Sequence, residues 1–141
     1  MAVISITAAN VKGSTSAQRV RQYNAAAATT AGQAVYLSTT TNLWTLLDID
    51  AALTGNGPTD IIGIAENGAP GANQPLVVVI RDDNFTFGGT GTNGLVLYGS
   101  TTAGGVSVAD IPTTGSYPVA LGVLSSTTTM VLRPAASGVI I

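Results

Sequence analysis

The sequence predicts an all-β fold: a sandwich-like or barrel-like body made of two related β-units, preceded by an extended N-terminal arm. Three observations carry this. The stretch Gly32-Gln-Ala-Val-Tyr-Leu-Ser-Thr-Thr40 returns, altered, as Gly94-Leu-Val-Leu-Tyr-Gly-Ser-Thr-Thr102. In the same register Leu47-Asp-Ile49 is answered by Ala109-Asp-Ile111, and after a small slip Ile62-Gly-Ile64 by Leu121-Gly-Val123. From Gly32 onward, short runs rich in β-branched residues alternate with Gly, Pro, Asn and Ser/Thr clusters, the pattern of sandwiches and barrels.

Taken in order, residues 1–24 read as an arm outside the core. Ile4 and Ile6 alternate with Ser5 and Thr7, residues 10–16 are polar and turn-prone, and residues 18–23 alternate again. Alternation sets Arg19 and Arg21 on one face of an extended segment and Val20 on the other. Such a segment suits backbone pairing with a neighbouring protein; an ordinary edge strand behind a loose terminus is the other reading. Residues 25–28 hold one helical turn at most, too short to persist alone. A single β-domain over 25–141 follows, with repeat units at about 32–81 and 94–133.

The first unit carries strand patterns at 35–37, 43–49, 61–65, 76–81 and 85–87. The second carries them at 95–98, 106–108, 119–124 and 130–133, and a last one follows at 139–141. Residues 48–53 could start a helix, but Thr54-Gly-Asn-Gly-Pro58 breaks it at once. That segment and 113–118 are expected to be loops. Gly63 and Gly122 sit inside strands at matching places, where glycine marks a bulge or a close backbone approach.

A chain of 141 residues fits one domain with a real core. Only 9% of its residues are charged, against roughly a quarter in ordinary soluble domains. No apolar run approaches the ~20 residues that span a bilayer, so the expected cover for excess apolar surface is other protein chains. The amino end lacks a basic leader and the chain has no cysteine, which points to synthesis in a cytosol. The net charge of −2 is unevenly divided. Lys12, Arg19 and Arg21 precede the first acid, Asp48, giving +3; two arginines against seven acids give −5 thereafter. Three cations without clustered aromatics do not make nucleic acid the favoured partner.

Histidine is absent along with cysteine, which removes the commonest general base and the usual transition-metal ligands. No catalytic residue, cofactor or metal is expected. Asp48, Asp50, Asp82 and Asp83 read as solvated turn acids. Gly89-Thr-Gly-Thr-Asn-Gly94 spells the dinucleotide fingerprint, yet it opens a strand where that motif requires a helix N-terminus. Asn84-Phe-Thr86 spells a glycosylation acceptor and reads as coincidence in a chain without a secretion signal. Trp44 and the scattered tyrosines could stack on a sugar. Tyr36 and Tyr98 hold equivalent repeat positions, which suits a structural role.

These residues resemble a family. Glycine, Val35-Tyr36, the Ser/Thr turn, Ile62-Gly-Ile-Ala-Glu66 and Gly71-Ala-Asn-Gln-Pro-Leu-Val-Val-Val79 are similar to the small decoration (cement) proteins of tailed-bacteriophage capsids. Val96-Leu-Tyr98 and Ala120-Leu-Gly-Val123 follow the same pattern, so the likeness covers roughly residues 18–133. It implies a β-tulip or β-sandwich-like body, often a homotrimer, made in the host bacterial cytoplasm and seated on the outer surface of the virion head. It further implies an N-terminal arm pairing with the major capsid protein. Here that arm would use Ile4, Ile6, Lys12, Arg19, Val20, Arg21 and Tyr23. The apolar tail Val139, Ile140, Ile141 is a candidate oligomer seam. Neither nucleic acid nor membrane is expected as a partner. The alternative is a carbohydrate-binding or adhesive β-module of a phage fibre or cell surface.

Overall fold

The computed structural model describes residues 3–25, 28–49, 61–108 and 116–136. The expected strand 139–141, the 109–111 match and most of 48–53 lie outside them. Among the described residues there is a 3-10 turn, Ala8–Asn10, no α-helix, and ten strands. The strands are β1 (Val11–Lys12), β2 (Gln18–Tyr23), β3 (Ala34–Leu37), β4 (Trp44–Leu46) and β5 (Ile62–Ala65), then β6 (Pro75–Phe87), β7 (Val96–Gly99), β8 (Val106–Val108), β9 (Val119–Leu124) and β10 (Thr129–Ala136). They form one curled, half-barrel antiparallel sheet in the order β4-β3-β5-β6-β10-β9-β7-β8, with β1 and β2 both paired to β6.

The duplication is present in the hydrogen-bonded ladders. Val35 opposes Leu46, Tyr36 opposes Thr45 and Leu37 opposes Trp44; 62 residues later Leu97 opposes Val108, Tyr98 opposes Ser107 and Gly99 opposes Val106. Gly63 faces Val35 as Gly122 faces Leu97. The turns repeat too: the Ser38 hydroxyl accepts the Thr40 amide at 3.2 Å, and the Ser100 hydroxyl accepts the Thr102 amide at 3.0 Å. Gly32 and Gly94, which open the two copies, both take left-handed φ values of 95° and 89°, a conformation that glycine adopts without the Cβ penalty.

Each repeat has five strands and begins one strand earlier than the sequence match suggests. β6 is a single strand of 13 residues, not two runs separated by a break. Its first half, residues 75–81, pairs with β5 and β2; its second half, residues 82–87, pairs with β10 and β1. The first unit therefore runs β4-β3-β5-(75–81)-β2, and the second β8-β7-β9-β10-(82–87). In this alignment β2 is the counterpart of residues 82–87. Val20 opposes Val78 as Phe85 opposes Met130, and Val78 and Met130 are themselves equivalent. Strand pairing crosses the expected boundary between arm and body at residue 24: residues 11–12 and 18–23 pair antiparallel with β6, from Val11 opposite Phe87 to Tyr23 opposite Pro75. Residues 18–23 form an edge strand of the chain's own sheet.

Equivalent faces of the two units make two cores. In the first unit Val35, Trp44, Ala65, Leu76 and Val78 form one cluster, with Val20 and Ile80 packed against it. Their counterparts Leu97, Val106, Leu124, Met130, Phe85 and Leu132 belong to a larger second cluster. Ala34, Ile62, Ile64 and Val79, from the opposite face of the first unit, join that larger cluster. The middle strands of the first unit are therefore buried on both faces, and the face turned away from the smaller cluster packs against the larger core. Complete burial of side chains such as Phe85, Phe87 and Leu132 contributes about 1.5–3 kcal/mol each.

The interior glycines are places where neighbouring strands come very close. A Cβ on Gly63 would lie 2.4 Å from the Val79 carbonyl oxygen, and one on Gly122 2.0 Å from that of Val131, the equivalent residue. Both positions are close backbone approaches.

Candidate interaction surface

Polar chemistry concentrates where β1 gives way to β2, because residues 13–17 leave the ladder there and their amides need other acceptors. The Gly13 amide donates to Glu66 Oε2 at 2.7 Å, and the Ser14 amide to Asp82 Oδ2 at 2.7 Å. The Ser14 hydroxyl donates to the other oxygen of Asp82, which also accepts the Asn84 amide at 3.1 Å. Arg19 reaches both oxygens of Glu66, Nε to Oε1 at 2.8 Å and Nη2 to Oε2 at 2.9 Å. This latch fastens the N-terminal ribbon to β5 and β6.

Electrostatics follow the geometry. The bond from Arg19 is the largest influence on Glu66; with the Gly13 amide it overcomes burial and holds the carboxyl below its usual range. The bond to Glu66 in turn raises the Arg19 guanidinium above its ordinary value. Asp82 is only 1% exposed. Burial works against its charge, but the hydroxyl and amide of Ser14 and the amide of Asn84 outweigh it and keep the carboxyl low. Asp82 is thus a buried acid whose lone pairs are met by donors, not the solvated turn acid expected. Asp83 fits that expectation better, with a surface ion pair to Arg133 at 2.8 Å, a kind that adds about 0–1 kcal/mol.

The arm residues separate into two groups. Ile4 and Ile6 are half-buried and pack against the larger core, and Val20 packs on the smaller one. Arg19 is engaged by Glu66 within the same chain. Lys12, Arg21 and Tyr23 face solvent, Tyr23 at 51% exposure. Among the described residues Lys12, Arg21 and Arg81 make no ion pair, and all three lie on β1, β2 or β6. Val139, Ile140 and Ile141 lie outside the described residues.

Sequence reasoning missed Ser14, Glu66 and Asp82. The available signal was a run of small donors at 13–16 in a chain with few acids, but nothing local says which acid they meet. Trp44 is fully buried in the smaller core, its indole nitrogen without a hydrogen-bond partner among the described residues, and it cannot stack on an external sugar. The glycine-rich stretch 89–94 leads into β7, as its position predicted.

A groove of about 740 Å³ opens beside β1, lined by Ser5, Thr7, Asn10, Lys12, Thr86 and Thr128 among others. Among the described residues no cluster of three or more acids, histidines or cysteines is placed to hold a metal, and no helix is long and apolar enough to cross a membrane. The chain matches no protein-family model and no curated protein sequence.

Proposed function

We propose that this chain is a structural decoration protein: it seats on the outer surface of a phage head and fastens neighbouring major capsid protein subunits. The single observation that carries the reading is the group of cations without an ion-pair partner among the described residues, Lys12 and Arg21 on the N-terminal ribbon and Arg81 on the strand it pairs with, in a chain whose remainder is acidic. Cations set on an extended, partly apolar ribbon suit attachment to an acidic protein surface, and repetition over a lattice multiplies a modest contact. Fastening requires contact area, about 1,200–2,000 Å² in a stable interface, and no reactive group. The resemblance in sequence points the same way and adds the homotrimer, which native mass of the isolated protein tests.

Arg19 has a different part in this reading, since Glu66 already holds it; the contact charges are Lys12, Arg21 and Arg81. The test is cosedimentation with expanded heads of the encoding phage that lack this protein. Reversing both Lys12→Glu and Arg21→Glu should leave the unfolding midpoint in place, lower head binding at least tenfold, and flatten its salt dependence. Binding at wild-type affinity after both reversals would overturn the proposal.

A glycan-binding module is the second reading. It is favoured by the hydroxyl-lined groove beside β1 and moves from Trp44 to Lys12 and Asn10. A glycan array without a single hit removes it.

A further inference from the structure

The outer edge of β2 has backbone groups that no other strand of the described residues meets. Val77 donates its amide to Asn67 Oδ1 at 2.7 Å and accepts the Glu66 amide at 2.9 Å on its carbonyl. Both backbone groups of Val77 therefore point away from β2. In an antiparallel ladder the residue opposite such a position also turns its N–H and C=O outward, and that residue is Arg21. Tyr23 is the next residue of this set. It faces Pro75, which has no amide to give, and its own N–H donates to the neighbouring Gln22 side chain at 3.0 Å. Among the described residues β2 pairs with β6 and with no other strand.

The internal repeat shows what belongs at that edge. Residues 82–87 occupy in the second unit the place that β2 occupies in the first, and their second edge is taken. β1 lies there, antiparallel, with Val11 opposite Phe87 and Lys12 opposite Thr86. Carried across the repeat, Thr86 and Phe87 become Arg21 and Gln22, so the vacant place lies against these two residues. A groove of about 210 Å³ sits there, lined by Arg21, Gln22, Tyr23 and Pro75. It presents an exposed aromatic ring beside a cation that has no ion-pair partner among the described residues.

We infer that the open edge of β2 is a docking site for an extended acidic segment of a partner protein, which joins the sheet with an acid against Arg21 and an apolar side chain over Tyr23 and Pro75. The inference rests on the decoration reading for where that partner is found, while the mode of attachment follows from strand addition. Cations on an edge also keep unwanted strands away, because pairing strips them of water, and only an acid on the incoming strand offsets that cost. The sign of the incoming charge therefore separates docking from simple protection.

The probe is a blocked octapeptide alternating Val and Glu, with a Val/Lys octapeptide as control, added to the full chain while amide exchange is followed by NMR. The Glu peptide should slow exchange at Arg21 and Tyr23 at least tenfold, leave Val20 and Gln22 unchanged, and be without rival in the Lys peptide. Arg21→Pro removes the outward donor at a place where an edge strand tolerates proline and should abolish protection at Tyr23. Should that variant unfold, Arg21→Glu replaces it and should transfer the preference to the Lys peptide. Absence of protection by the Glu peptide, or protection that survives Arg21→Pro in a folded protein, overturns the inference. Head cosedimentation separates the two proposals. Peptide protection in a protein that ignores heads sinks the decoration reading alone; head binding undiminished by Arg21→Pro sinks the edge alone.

Discussion

Adding one methyl group at each of two equivalent glycines tests the duplication most directly. In Gly122→Ala the new carbon falls 2.0 Å from the Val131 carbonyl oxygen, a full 1.0 Å inside the 3.0 Å limit that Cβ contacts respect; in Gly63→Ala the shortfall against Val79 is 0.6 Å. The obstructing atoms are backbone, so β9 must part from β10, or β5 from β6. Overpacking costs about 1–3 kcal/mol, and each ladder bond stretched beyond use adds about 1 kcal/mol. That gives about 2–4 kcal/mol for Gly122→Ala and somewhat less for Gly63→Ala. An unfolding entropy of about 2 cal/mol/K per residue makes 1 kcal/mol roughly 3 °C in a chain of this length. The melting point should fall by roughly 6–12 °C for Gly122→Ala and roughly 4–9 °C for Gly63→Ala. Gly68→Ala is the control: its nearest neighbour would be the Thr29 carbonyl oxygen at 3.6 Å, and its effect should stay within about 0.5 kcal/mol. Circular-dichroism melts decide. If all three variants melt together, the close approaches are not there and the matched ladders lose their support.

Asp82→Asn replaces an acceptor by an amide NH₂ facing the Ser14 amide, and urea titration should show a loss of about 1–3 kcal/mol. Acid should weaken the same latch. Glu66 and Asp82 both have lowered native pKa values, so their contribution is complete above the unfolded-state values of about 4 and disappears as pH falls through the native ones. Stability of the wild type should therefore drop more steeply in that range than that of a Glu66→Gln/Asp82→Asn double variant. Deleting residues 1–23 removes β1 and β2 and bares the edge of β6 along its length, so the product should show no cooperative unfolding transition. Trp44 reports on the first unit, and the larger core draws on both units; its fluorescence and the far-ultraviolet signal should therefore give coincident melts, and two separate midpoints would contradict the shared core.

The repeat was legible because its marks are local. Gly32 and Gly94 open the copies, Ser38 and Ser100 close the turns, and Gly63 and Gly122 keep their place within alternating strands. The role of β2 was not legible. Only Val20 and Gln22 of its six residues are partly buried and the rest are exposed, so its composition matches that of a solvated arm. The continuity of β6 was hidden for a related reason. Arg81-Asp-Asp-Asn84 reads as a break, and it stays extended because Ser14, 68 residues earlier, supplies donors to Asp82. The cation ribbon was half visible: among the described residues Lys12 and Arg21 make no ion pair, as the charge division suggests, whereas Arg19 is claimed by an acid that spacing alone could not have named.

The shared strand has a mechanical consequence. Because residues 75–87 end one unit and begin the next without a joint, tension entering through the ribbon along this strand passes into the second unit as a pull on covalent backbone. The flanking ladders then resist it in shear, with many bonds loaded together instead of peeling one at a time. A body joined in this way cannot come apart at a hinge between its halves, because at that point there is no linker to stretch.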